Sequence, residues 1–183
     1  MDLKGYYEGL STERLIFRKL TYDDVESWMK FYDDNPNLQY LNIDTNRTKE
    51  AMAKAWIEAQ IERYERHEFG QLAMVLKENN ALIGTRGFKY CMLDGKRQLE
   101  STGSFKKEYW RQGFGSESIN CIIRYIFENQ LAHQVFSFCD VRNMASRAYI
   151  KTVGYQEVGI QMMRGRLTAI HKFSREDWAT LQK

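Results

Sequence analysis

Two hydrophobic periods divide the chain, and the switch between them falls near Gly70. Before it, apolar positions recur at helical spacing. Val25, Trp28, Met29 and Tyr32 share one face of a helix predicted to start at Thr21, where Thr21 and Asp24 form a capping-box pattern. Met52, Ala55, Trp56, Ala59 and Ile61 predict the buried stripe of a longer helix running from Thr48 to about Arg66. Ahead of both, the β-branched and aromatic run Glu13 to Leu20 reads as a first strand, and Pro36 marks the loop between the helices.

After Gly70 the period shortens. The runs 71–77, 81–90 and 97–105 are separated by the turn signals Glu78-Asn79-Asn80 and Asp94-Gly95-Lys96, which predicts an antiparallel three-strand meander. A helix follows the glycine pair Gly113 and Gly115 and runs to about Gln130. The nearly continuous apolar run 134–141 then reads as a strand buried on both faces. Next come a short helix from Ser146 to Val153, a strand from Tyr155, a turn at Arg164 to Arg166 and a strand from Leu167 to Phe173. Ser174 and Asp177 form another capping box, opening a terminal helix that carries Trp178 and Leu181. The fold class is α/β of the mixed, α+β kind, in one domain over residues 1–183.

Composition narrows the function classes. With 183 residues, 43% of them hydrophobic and 14% aromatic, the chain can bury one substantial core. The net charge of +3 comes from lysines and arginines scattered among acids, so no nucleic-acid surface is expected. No charged-then-apolar leader appears and no apolar run approaches the roughly 20 residues of a membrane span, so the expected compartment is the cytoplasm. Cys91, Cys121 and Cys139 are odd in number and widely spaced, which predicts packed, reduced thiols. His67 and His171 lack carboxylate or cysteine neighbours at ligand spacing, so no metal is expected, and His133 reads as a capping or packing residue.

The stretch Tyr109 to Ser118, YWRQGFGSES, carries the first hint of chemistry. Glycine costs about 1 kcal/mol relative to alanine inside a helix, so two at a helix entrance imply a special backbone conformation or a close approach. A strand feeding such a turn leaves N–H groups unpaired at the positive end of the helix dipole. There a phosphate could reach the amides of Gln112 to Ser116, with Arg111 adding charge; a tight turn without a ligand would use the same glycines. The lysine of a nucleotide P-loop and the third glycine of a dinucleotide fingerprint are missing.

Read with its flanks, the chain resembles the GNAT superfamily of acyl-CoA-dependent N-acetyltransferases, and within it the RimJ/RimL type. LSTERLIFRKLTYDDVESW resembles that branch's opening strand and helix, and YWRQGFGSESI its CoA pyrophosphate loop. NMASRAYIKTVGY, Asn143 to Tyr155, resembles its Asn-x-x-Ser helix, and RGRLTAIHKFSREDW its closing hairpin and terminal helix.

The resemblance implies a mostly antiparallel sheet splayed between the strands at Arg97 to Lys106 and Gln134 to Val141, with acetyl-CoA as co-substrate in the splay. It places the pantetheine on the backbone of Ser104, Phe105 and Lys106, and the pyrophosphate on Arg111, Gln112, Gly113, Phe114, Gly115 and Ser116. Asn143 would bond the pantetheine amide. Glu100 is the implied general base toward an amine acceptor, Ser146 the preferred hydrogen-bond donor to the departing sulfur, and Tyr149 a further candidate.

Three positions depart from the pattern. Ile150 stands where many members carry the acid tyrosine, Trp110 where the wider superfamily carries Gln or Arg, and Ala169 where the branch often carries aspartate. The resemblance implies as acceptor a protein N-terminus or a small-molecule amine such as a polyamine, aminoglycoside or amino acid; a non-catalytic acyl-CoA sensor is the alternative of another class. Tyr32, Tyr40, Trp56 and Tyr90 could wall the acceptor pocket or belong to the core. A sheet edge or the closing hairpin could pair two copies as a homodimer.

Overall fold

A computed structural model describes residues 3–181. Seven strands form one sheet in the order β1-β2-β3-β4-β5-β7-β6. They are β1 (Leu15–Arg18), β2 (Gln71–Leu76), β3 (Leu82–Leu93), β4 (Lys96–Phe105), β5 (Gln134–Asp140), β6 (Gln156–Met163) and β7 (Arg166–Ser174). Every neighbouring pair is antiparallel except β4 and β5, which run parallel and meet at a single register position, Glu100 opposite Phe136. The sheet is therefore continuous at Glu100 and parts beyond it.

The helices are α1 (Lys4–Glu8), α2 (Val25–Met29), α3 (Lys49–Glu65), α4 (Phe114–Glu128), α5 (Met144–Thr152) and α6 (Arg175–Leu181). None is long and apolar enough to cross a membrane. The hairpin turns use the residues expected of them. Asp94-Gly95 and Arg164-Gly165 each place two successive residues at positive φ, the two-residue turn that matches strand twist.

Several elements differ from the periodicity reading. The first strand shrinks to β1, and the helix predicted from Thr21 to Tyr32 is a short α-helix between two 3-10 turns, Tyr22–Asp24 and Lys30–Tyr32. Asp24 does accept the Thr21 N–H, at 2.9 Å. On α3 the buried face carries Met52, Ala53, Ile57, Gln60 and Tyr64, about one residue around the helix from the predicted stripe. The reason is polar: Gln60 Oε1 accepts the Gln71 N–H at 3.0 Å, so a glutamine occupies a core position that a hydrophobic count skips. Helix α1 was not anticipated. Its Tyr6 is fully buried and its hydroxyl bridges two backbones, donating to Gly70 O at 2.8 Å and accepting from Phe88 N at 3.1 Å. His133 is exposed rather than packed; its carbonyl accepts the Arg175 N–H.

Candidate functional site

Alternation along β4 sends successive side chains to opposite faces. Glu100 and Thr102 share the face of Gln71, whose side-chain amide donates to Thr102 Oγ1 and whose backbone meets α3 through Gln60. Ser101 and Gly103 face the other side, beneath α4 and α5. There Ser101 Oγ lies 2.6 Å from Tyr155 Oη.

On the α3 side a cavity of about 830 Å³ opens beside the parting strands. Tyr40, Trp56 and Tyr90 line it, whereas Tyr32 belongs to the core against Phe31. Glu100 also lines it, with Lys89 Nζ 3.3 Å from Oε1 and side-chain exposures of 12% and 24%. Burial pushes the Glu100 carboxyl above its ordinary value, and the Lys89 ammonium holds back part of that rise. A carboxylate so placed can accept a proton from an amine in the cavity.

On the opposite face the glycine loop leads into α4. Arg111 and Gly113 adopt positive φ, +59° and +83°, and Gly113 caps the helix without a side-chain bond. Glu117 N is the first amide of α4 to be satisfied, by Gly113 O at 3.1 Å, so the N–H groups of Phe114, Gly115 and Ser116 lack helical partners. Arg111, Gln112 and Ser116 are exposed there, while the Phe114 ring turns into the core. Gly115 has a packing reason as well: a Cβ there would lie 3.0 Å from the Tyr149 ring.

Arg14 is a residue that sequence reasoning passed over. Its guanidinium donates to Gln112 O at 3.0 Å, pairs with Glu117 at 2.6 Å and lies over the Phe114 ring. Burial would raise the Glu117 carboxyl, but hydrogen bonds from Thr12 and Arg14 outweigh it and hold the group below its ordinary value. The one acid in the first turn of α4 is thus neutralised, and the loop amides still face an electropositive site. No pattern flagged Arg14 because its partners are about a hundred residues away.

The backbone edge expected to hold pantetheine is narrower than Ser104 to Lys106. Lys106 N donates to Ile83 O at 2.9 Å and its carbonyl accepts from Tyr109, so its backbone is occupied. Because the Lys106 N–H points to β3, the peptide before it turns the Phe105 carbonyl, and with it the Phe105 N–H, to the parted edge. The Trp110 indole donates to that carbonyl at 2.9 Å, which gives Trp110 a structural task. The N–H of Phe105 is the remaining donor.

Helix α5 begins two residues earlier than predicted because Asn143 caps it, Oδ1 accepting Ser146 N at 3.1 Å. That cap uses the Asn143 carbonyl oxygen and leaves its amide nitrogen without a partner among the described residues. The Cys139 thiol, buried near the end of β5, lies against the Asp140 and Asn143 carbonyls, at 3.5 Å and 3.7 Å. Ile150 is a core residue at 6% exposure, whereas Tyr149 stands over the α4 entrance with its hydroxyl 3.3 Å from Arg86 Nη2. Arg86 was also missed. It crosses β4 where Gly103 has no side chain, a Cβ there falling 2.5 Å from its Cζ, and donates to Ser118 Oγ at 3.2 Å.

Comparison with known proteins places the chain in a family. Residues 14–156 match the family described as Acetyltransferase (GNAT) domain. The chain is 26% identical over 172 residues to p20, an uncharacterised N-acetyltransferase of Bacillus licheniformis, covering 91% of this chain and 95% of that one. Among solved structures it is similar to a GNAT-family protein of Chromobacterium violaceum, with TM-score 0.77, 16% identity and coverage of 93% and 87%. It is also similar to RimL, a ribosomal L7/L12 α-N-protein acetyltransferase in complex with coenzyme A, with TM-score 0.73, 14% identity and coverage of 89% and 95%. The match covers most of the chain, and this chain belongs to the GNAT family of acetyl-CoA-dependent N-acetyltransferases.

Proposed function

We propose that residues 1–183 act as a single N-acetyltransferase domain in which the co-substrate enters from the α4–α5 face and the acceptor amine from the α3 face. The observation that carries this reading is Glu100, buried in the cavity wall at the one point where β4 and β5 still pair. The amides of Gly113 to Ser116, with Arg111, would hold the pyrophosphate, while Phe105 N–H and the Asn143 side-chain amide would hold the pantetheine. These residues bind and orient; the thioester supplies the activated acetyl group.

An alkylamine has a pKa near ~10 and a protein N-terminus near ~8, so the acceptor arrives protonated. Ionised Glu100 takes that proton, directly or through water, and the freed amine attacks the thioester carbonyl. A proton delivered to the departing sulfur completes the reaction. Of the two candidate hydroxyls on α5, Ser146 lies in the first turn, and Tyr149 accepts from Arg86 and keeps its own proton to give. Ser146 and Tyr149 are both candidate donors, which Ser146→Ala and Tyr149→Phe would separate by their effects on kcat.

Charge narrows the acceptor. The cavity carboxylates Glu68, Glu100 and Asp140 each face a cation of the chain, Arg97 at 3.3 Å, Lys89 at 3.3 Å and Arg142 at 2.6 Å. Arg164 adds positive charge to the same wall. A polyamine or aminoglycoside would find no idle carboxylates, so this supports a protein N-terminus or a small monoamine in the cytoplasm. Exposed Ile160, Met162 and Leu167 on the edge hairpin support pairing of two copies, which size-exclusion chromatography would report.

The test is CoA release with a panel of N-terminal peptides, monoamines, polyamines and aminoglycosides, with CoA binding followed by calorimetry. Glu100→Gln is expected to lower kcat/KM by about 10²-fold or more while leaving CoA affinity unchanged. An unaltered rate would remove Glu100 from the base role.

A further inference from the structure

The cavity assigned to the acceptor already contains an amine. Lys89 lies directly opposite Glu100 in the β3–β4 ladder, and both side chains project to the cavity face. The Lys89 ammonium sits 3.3 Å from the carboxylate in a setting where both groups are largely withdrawn from solvent. A general base must lie within hydrogen-bond reach of the ammonium it deprotonates, and Lys89 occupies that position toward Glu100. A surface ion pair would leave the lysine hydrated and distant from the chemistry; this one stands where the sheet parts.

We propose that Lys89 is a self-acetylation site, its Nζ accepting the acetyl group when no other amine fills the cavity. The inference rests on the reading of Glu100 as base and of this cavity as the acceptor's. The step balances. The Lys89 ammonium gives one proton to the Glu100 carboxylate, which passes it to water, and the neutral Nζ attacks the thioester carbonyl. The Nζ–C bond forms and the C–S bond breaks, the second proton leaves nitrogen for the thiolate, and the products are Nζ-acetyl-lysine and the CoA thiol. No redox partner is needed.

The full chain is incubated with acetyl-CoA and no added amine, and the adduct is followed by intact mass and located by peptide mapping. The expected result is one acetyl group per chain on Lys89, absent in Lys89→Arg and formed at least about tenfold more slowly in Glu100→Gln. Acetyl-CoA also modifies lysines without catalysis, so the same incubation in urea is the control. Failure to label Lys89, or labelling at the same rate in urea or in Glu100→Gln, overturns the inference. Two readouts on the same preparation separate the failures. An unlabelled Lys89 beside CoA binding and CoA release with an added amine leaves the acceptor cavity standing, whereas absence of CoA binding removes both readings.

Discussion

Gly113 and Glu100 are the single positions on which the proposed chemistry depends most, one through its backbone and one through burial. A side chain at Gly113 would have to adopt φ +83° and would bring Cβ to 3.3 Å from Arg14 Nη2. Gly113→Ala is expected to cost about 1–2 kcal/mol and to weaken CoA binding, as thermal melts and calorimetry would report. As the proposed base, Glu100 would act through its ionised form. Because its carboxyl is raised in the folded chain, the rising limb of the pH–rate profile should lie above the ordinary glutamate value of about 4.3, and Glu100→Gln should abolish that limb. The sign for stability follows: folding favours the protonated carboxyl, so this group's contribution is fully present below the unfolded pKa and lost as pH rises through the folded one. The glycines were visible in the sequence. The match of Glu100 with Lys89 was not, since it depends on which residues face each other across a ladder.

At the scale of elements, the crossing of Arg86 over β4 couples β3 to α4 and α5. Gly103→Val would fill the path of the guanidinium and is expected to destabilise the fold by about 1–3 kcal/mol, measured by urea unfolding. The β5-β7-β6 half has its own sensitivity. His171 is fully buried, its ring nitrogens lack hydrogen-bond partners, and Nε2 lies 3.4 Å from Glu157 Oε2. Burial lowers its pKa, opposed by Glu157. Folded chain therefore binds fewer protons than unfolded chain, and stability should fall as pH drops from about 7 through the unfolded histidine value of about 6.5. His171→Leu should flatten that dependence in urea titrations across the interval. Most element types and their order were legible because those segments keep their own period; α1 and the 3-10 turns around α2 are too short to show one. The face of α3 was not legible, because Gln60 earns its burial from a hydrogen bond to Gln71, which hydrophobicity does not register.

Across the whole molecule, the clamp between Arg14 and the α4 entrance ties the segment before β1 to the candidate phosphate loop. An ion pair with one partner 43% exposed contributes little to stability, typically under about 1 kcal/mol, yet this one positions the loop amides. Arg14→Ala should accordingly reduce CoA affinity by calorimetry while leaving the melting temperature nearly unchanged; a large fall in melting temperature with intact affinity would contradict that role. By itself the sequence determined the order of the strands and of the helices after α1, the hairpin turns, the glycine loop and the family resemblance. All of these are encoded by residues within a few positions of one another, through periodicity, turn chemistry and capping. Only the tertiary structure decided that the parting of β4 from β5 begins at Glu100, that Ile150 faces the core while Tyr149 reaches Arg86, and that Lys89 lies against the candidate base. Those relations join residues far apart in the chain, and they arise from strand register and side-chain packing, which no local pattern specifies.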